Sequence, residues 1–166
     1  MSIKSGQDQT DYQCPACKRF EREIDVAREH LGDSLGVVYH NFPLRELHPL
    51  ALAAAEGAVC AAAQGRFEQI HRALFNAVLQ GDSIQWGRII AASDIPDTTR
   101  FRACLQLKDT QEQVEQERQS GIDLRLGGTP GVLIADRLQV GGMSAEELLA
   151  RLHKARRKLV ALHSDN

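Results

Sequence analysis

Apolar side chains recur at three- and four-residue steps through Ala16, Phe20, Ile24, Ala27 and Leu31, and Gly32 follows. That spacing predicts one amphipathic helix with a glycine stop. The next run, Leu-Gly-Val-Val-Tyr-His-Asn-Phe at 35–42, is short, β-branched and aromatic, and Pro43 ends it. It reads as a buried strand. From His48 to about Leu124 the composition turns helical, with breaks at Gly65, Gly81-Asp82 and Ile95-Pro96-Asp97. Five helices are expected there, at 51–63, 66–79, 83–92, 98–108 and 110–121. The first is so rich in alanine that neighbours can approach it on more than one side. Trp86, the only tryptophan, is expected to fill the core of this region.

Strand character returns at 132–135 and 138–140, predicting a hairpin that turns at Asp136-Arg137 and stops at Gly141-Gly142. Ser144-Ala145-Glu146-Glu147 has the form of a capping box. Leu148, Leu152, Ala155, Leu159 and Leu162 then form one apolar stripe, as expected of a terminal helix laid on a sheet. The layout is βαβ, a helical insert, then ββα.

Composition narrows the function classes. The chain has 166 residues, of which 43% are hydrophobic, enough for a domain with a real core. A formal net charge of −2 offers no basic field for nucleic acid or an anionic membrane. The basic stretch from Lys154 to Lys158 falls in the last turns of the terminal helix, where cations complement the dipole. No apolar run approaches the ~20 residues that span a bilayer, so membrane insertion by this chain is not expected. Residues 1–9 are too polar for a secretory h-region. Two locations follow: extracytoplasmic, in periplasm or cell envelope, with the signal or anchor absent from this chain, or cytoplasmic if the chain is complete.

The candidate chemistry lies in Cys14-Pro15-Ala16-Cys17, at the start of the first helix. Two cysteines so spaced can close a disulfide across the first helical turn, where unpaired N–H groups and the dipole favour a thiolate on the first sulfur. Half of a zinc site is the alternative, but the chain has neither a second CxxC nor a CxxH. Cys14 is therefore the expected nucleophile and Cys17 the resolving thiol. Cys60 and Cys104 fall on apolar faces of insert helices, where two readings are open: buried free thiols, or a disulfide stapling two helices. His40 and His48 are expected to be structural.

The segment Asp-Tyr-Gln-Cys-Pro-Ala-Cys-Lys-Arg-Phe at 11–20, followed by Asn41-Phe42-Pro43-Leu44, His48-Pro49 and Gly128-Thr129-Pro130, resembles the DsbA-like branch of the thioredoxin superfamily. That resemblance implies an α/β thioredoxin-like fold at 1–47 and 125–166 with an inserted α-helical domain at 48–124. It implies a thiol–disulfide oxidoreductase acting on protein thiols and disulfides, recharged by a redox partner protein, with no cofactor and no metal. Pro130 would be a cis-proline facing the disulfide. Thr129, Pro130, Pro15 and Ala16 would contact substrate, Thr129 by strand addition.

One departure from the family pattern bears on the fold. The buried strand normally found before the active-site segment is here Ser5-Gly6-Gln7-Asp8-Gln9-Thr10, without an apolar side chain. A central strand should be almost continuously apolar. The first strand is therefore expected to be degenerate or missing, at best partly strand-like. That expectation sustains a rival function, a non-catalytic peptide-binding or scaffold module. A glutathione-linked transferase is a further rival, though it would not need both cysteines.

Overall fold

The computed structural model describes residues 3–78 and 83–164. Four strands form one sheet in the order β2-β1-β3-β4. β1 (Ile3–Thr10) runs parallel to β2 (Leu35–Asn41) and antiparallel to β3 (Gly131–Ile134), which forms a hairpin with β4 (Arg137–Val140). The polar segment is thus a complete central strand, contrary to the expectation of a degenerate or missing one. Its register runs from Ile3 opposite Leu35 to Thr10 opposite Asn41, with one irregularity between Lys4 and Gly6. Backbone ladders on both sides hold it, and apolar burial comes from neighbours such as Val132 and Ile134. The strand still carries a cost: Asp8, Gln9 and Thr10 are 1–2% exposed, and their side-chain oxygens meet no hydrogen-bond donor among the described residues.

α1 (Pro15–Leu31) connects β1 to β2. Cys14 is its N-cap and Pro15 its first residue, where a missing N–H costs nothing. Gly32 ends it at φ +51°, donating its N–H to the Arg28 carbonyl. Phe20, Ile24 and Ala27 of α1 pack with Val132 and Ile134 of β3 and with Leu148, Leu152 and Ala155 of α7 (Ala145–Ser164). This is the terminal stripe expected from the sequence, described as far as Ala155; the side chains of Leu159 and Leu162 lie outside the described ones. Half of the capping box forms, the Glu147 N–H donating to Ser144 Oγ, while the Glu147 carboxylate pairs with Arg151.

Between β2 and β3 come α2 (Ala51–Ala62), α3 (Phe67–Val78), α4 (Trp86–Ala92), α5 (Thr98–Cys104) and α6 (Lys108–Asp123). α4 starts three residues later than expected. α5 stops at Cys104, so α6 can start at Lys108. Asp97 caps α5 by accepting from the Arg100 N–H at 2.8 Å. Leu79, Gly81 and Asp82 lie outside the described residues. Trp86 is partly buried, edge-on to Phe101 with ring centroids 5.6 Å apart, and lies over Gly57 of the alanine-rich helix. A Cβ at Gly57 would fall 2.3 Å from the indole. The hairpin turns at Ala135-Asp136, one residue earlier than expected, with Ala135 at φ +56°.

Candidate active site

Asp11 shapes the approach to α1. Its buried carboxylate accepts the N–H groups of Gln13 and Leu44, both at 2.8 Å, and lies 2.8 Å from His48 Nδ1. Its carbonyl accepts the Cys14 N–H at 3.1 Å. One side chain thus ties the turn before Cys14 to the loop after β2, and His48 has the structural role expected of it. The function of Asp11 depends on residues more than 30 positions away and has no sequence signal of its own.

The Cys14 thiol points at the Thr129 carbonyl oxygen across 3.5 Å. Thr129–Pro130 is cis, and Pro130 leads directly into β3. Cys14 and Cys17 are free thiols in this structure, 7% and 1% exposed, and Pro15 between them is exposed. A hydrogen bond from Cys17 is the largest influence on Cys14. Burial opposes it, and contacts from Thr129 and the N–H groups of Cys17 and Ala16 add to it; together they bring the Cys14 pKa from 9.0 to about 5. Burial, first, and the neighbouring Cys14, second, push Cys17 strongly the other way. The pair is therefore asymmetric at neutral pH: a thiolate at the helix start and a protonated thiol one turn in.

One residue that acts on the pair has no sequence signal of its own. Asp8 of β1 is buried, and burial pushes its carboxyl well above the usual range, with Glu21 and Cys14 adding to the rise. Its charge in turn acts on Cys17. An acidic residue in a polar strand reads only as a poor strand former until the fold buries it.

Cys60 and Cys104 are joined in a disulfide, with Cα atoms 5.8 Å apart, that links α2 to α5. They take no part in the Cys14–Thr129 contact. His40 lies on β2 opposite Gln9, with its Nε2 buried.

A family described as thioredoxin has a model that matches residues 9–154. The chain belongs to the thioredoxin family. Among solved structures, this thioredoxin-family chain is similar to a thioredoxin-like oxidoreductase from Silicibacter pomeroyi, at 24% identity and a TM-score of 0.79, covering 93% of this chain and 88% of that one. The thiol-disulfide exchange protein alpha-DsbA2 from Wolbachia pipientis matches at 21% identity and a TM-score of 0.79, covering 92% and 82%. A periplasmic thioredoxin-like protein from Salmonella enterica serovar Typhimurium matches at 17% identity and a TM-score of 0.78, covering 93% and 84%. The thioredoxin-like fold expected from the sequence is the fold observed. Among curated relatives, the Na(+)/H(+) antiporter NhaA 1 of Mycobacterium sp. (strain KMS) is 30% identical over 151 residues, 88% of this chain. The chain spans about a quarter of the length of that relative, 24%. No helix among the described residues is long and apolar enough to cross a membrane.

Proposed function

We propose that this chain is a DsbA-like thiol–disulfide oxidoreductase that exchanges disulfides with protein substrates through Cys14 and resolves them through Cys17. The observation that carries the reading is the asymmetric pair, with the Cys14 sulfur on the N-terminus of α1 and against the Thr129 carbonyl. In the oxidised protein a substrate thiolate attacks Cys14 Sγ. The Cys14–Cys17 bond breaks, and Cys17 leaves as a thiolate that takes a proton from Asp8. A second substrate thiolate then attacks its partner sulfur in the mixed disulfide and expels Cys14. The substrate leaves with a new disulfide, and the protein keeps two reduced cysteines. A pKa of about 5 makes Cys14 a good leaving group and stabilises the reduced form, which favours donation of the disulfide.

Thr129 and Pro130, with Pro15 and Ala16 opposite, would receive the extended substrate segment by strand addition. The insert at 48–124 would act as a domain of its own beside the sheet domain at 1–47 and 125–166. An extracytoplasmic location suits the Cys60–Cys104 disulfide, since such bonds persist in oxidising compartments. The Salmonella relative is itself described as periplasmic. A redox partner protein would reoxidise the pair. The scaffold alternative loses its main support, because β1 is a complete strand.

The test is oxidative refolding of a reduced, unfolded protein by the oxidised chain, together with the reduction potential of the Cys14–Cys17 pair. Refolding that disappears in Cys14→Ala is expected, with a potential more oxidising than the roughly −270 mV of thioredoxin. A lower potential, with insulin reduction in place of refolding, would reverse the direction.

A further inference from the structure

The redox pair is not buried in the core of its own sheet. Further along α1, Phe20, Ile24 and Ala27 pack with β3 and α7, but Tyr12, Cys14 and Cys17 belong to the apolar cluster of the insert, with Ala58 of α2 and Leu74 and Phe75 of α3. Polar contacts follow the same division. Tyr12, 1% exposed, sets its hydroxyl 2.9 Å from Nδ1 of the buried His71 of α3, and its ring centroid lies 4.9 Å from that of Phe75. Gln13 Oε1 accepts the N–H of Leu50, the cap residue of α2, at 2.5 Å. One turn beyond Cys14, Lys18 Nζ donates to the Phe75 carbonyl at 3.4 Å. The chain is thus tied to the insert on both sides of the reactive cysteine.

Cys14 itself has little to hold it in the reduced protein. As the cap of α1 it makes no side-chain capping bond, and its own N–H rests on the Asp11 carbonyl at 3.1 Å. The position of its sulfur against the Thr129 carbonyl and the first N–H groups of α1 therefore follows the placement of Tyr12 and Gln13.

We propose that the helical insert is one half of the active site: His71 and the Leu50 N–H, by holding Tyr12 and Gln13, fix the Cys14 sulfur over the start of α1. Tyr12, Gln13 and His71 are positioning residues in this account, and the inference rests on the exchange reaction proposed above. The two redox forms need the ties unequally. In the disulfide, the bond to Cys17 already holds Cys14. In the reduced protein the sulfur is free and charged, and it keeps the N–H groups of the helix start only while the turn is held. The ties therefore favour the reduced form.

The test equilibrates the protein with glutathione. Two glutathione thiols reduce the Cys14–Cys17 disulfide and leave as one glutathione disulfide, so the ratio at half-reduction gives the equilibrium constant. Tyr12→Phe keeps the ring and removes the hydroxyl; Gln13→Met keeps the length and removes the acceptor. Each should move the equilibrium about two- to tenfold toward the protein disulfide, the worth of one hydrogen bond, and the double variant should move it further. His71→Leu should match Tyr12→Phe and add nothing to it. His71→Asn, whose amide places a polar atom where Nδ1 stands, should restore the unmodified value. Urea melts of both redox forms separate positioning from mere support: the variants should lower the midpoint of the reduced form more than that of the oxidised form. Equal losses in the two forms, with an unchanged glutathione equilibrium, would overturn the proposal. An unmodified protein whose Cys14 and Cys17 do not equilibrate with glutathione would instead refute the exchange reading, and this inference with it.

Discussion

Cys14 Sγ lies 3.5 Å from the carbonyl oxygen of Thr129, 115 positions along the chain. The contact brings together the turn fixed by Asp11 and the loop that opens β3, the strand paired with β1, so the reactive sulfur faces backbone from the neighbouring strand's entry. Burial raises the pKa of Asp8 and of Cys17, opposite to the shift at Cys14.

Alkylation of the reduced protein as a function of pH should give a Cys14 midpoint near 5. Cys17 should stay unlabelled until the chain is unfolded. The depressed Cys14 pKa stabilises the reduced fold fully above the unfolded thiol value of about 8.5, and this contribution is lost as pH falls through about 5. Earlier labelling of Cys17, or a midpoint near that of a free thiol, would reverse the assignment.

Asp8→Asn should stabilise the reduced protein at pH 7 and leave it unchanged near pH 3. Burial raises the Asp8 pKa, so folding is penalised once the unfolded carboxyl ionises above about 4, and the asparagine escapes that penalty. The same variant should slow release of substrate by Cys17. Thermal melts at the two pH values check the first claim, and equal shifts at both would contradict it.

The Gln9 amide is 1% exposed and finds no partner among the described residues; its oxygen sits 3.1 Å from where a Gly121 Cβ would be, and the Phe42 ring lies against the same glycine. Gln9→Leu keeps the approximate volume and removes the unsatisfied amide, which should add about 1–3 kcal/mol of stability. The Gln9→Phe substitution suggested by the usual apolar strand would overfill that space. A lower midpoint for Gln9→Leu in denaturant melts would mean that the amide has a partner after all.

Replacing Cys60 and Cys104 together by alanine should cost about 2–4 kcal/mol, since the bridge closes a long loop of the unfolded chain. Exchange through Cys14 should survive below the lowered melting temperature. Gly57→Ala should cost about 1–3 kcal/mol, because the added methyl overlaps the Trp86 ring. Urea melts of both proteins provide the check.

Elements with a regular apolar period were legible in the sequence: α1 with its Gly32 stop, β2 ended by Pro43, and the terminal helix. The Cys-Pro-Ala-Cys turn was legible because its chemistry is local. β1 was not, because alternation rules look for apolar side chains and this strand is held by two backbone ladders. The same blind spot concealed Asp8, whose polarity counted against the strand while marking a buried acid whose charge acts on Cys17. Glu21, His71 and Tyr12 meet only through the packing of α3 on α1, with 59 residues separating the tyrosine from the histidine.

The most direct measurement is trapping with Cys17→Ala, which removes the resolving thiol and leaves Cys14. Incubated with a reduced-and-scrambled protein substrate, this variant should accumulate mixed disulfides that mass spectrometry maps to Cys14 and that dithiothreitol releases. The Cys14→Ala, Cys17→Ala double variant should form none. If Cys17→Ala yields no covalent adduct, or if adducts form on a cysteine other than Cys14, exchange through Cys14 is contradicted.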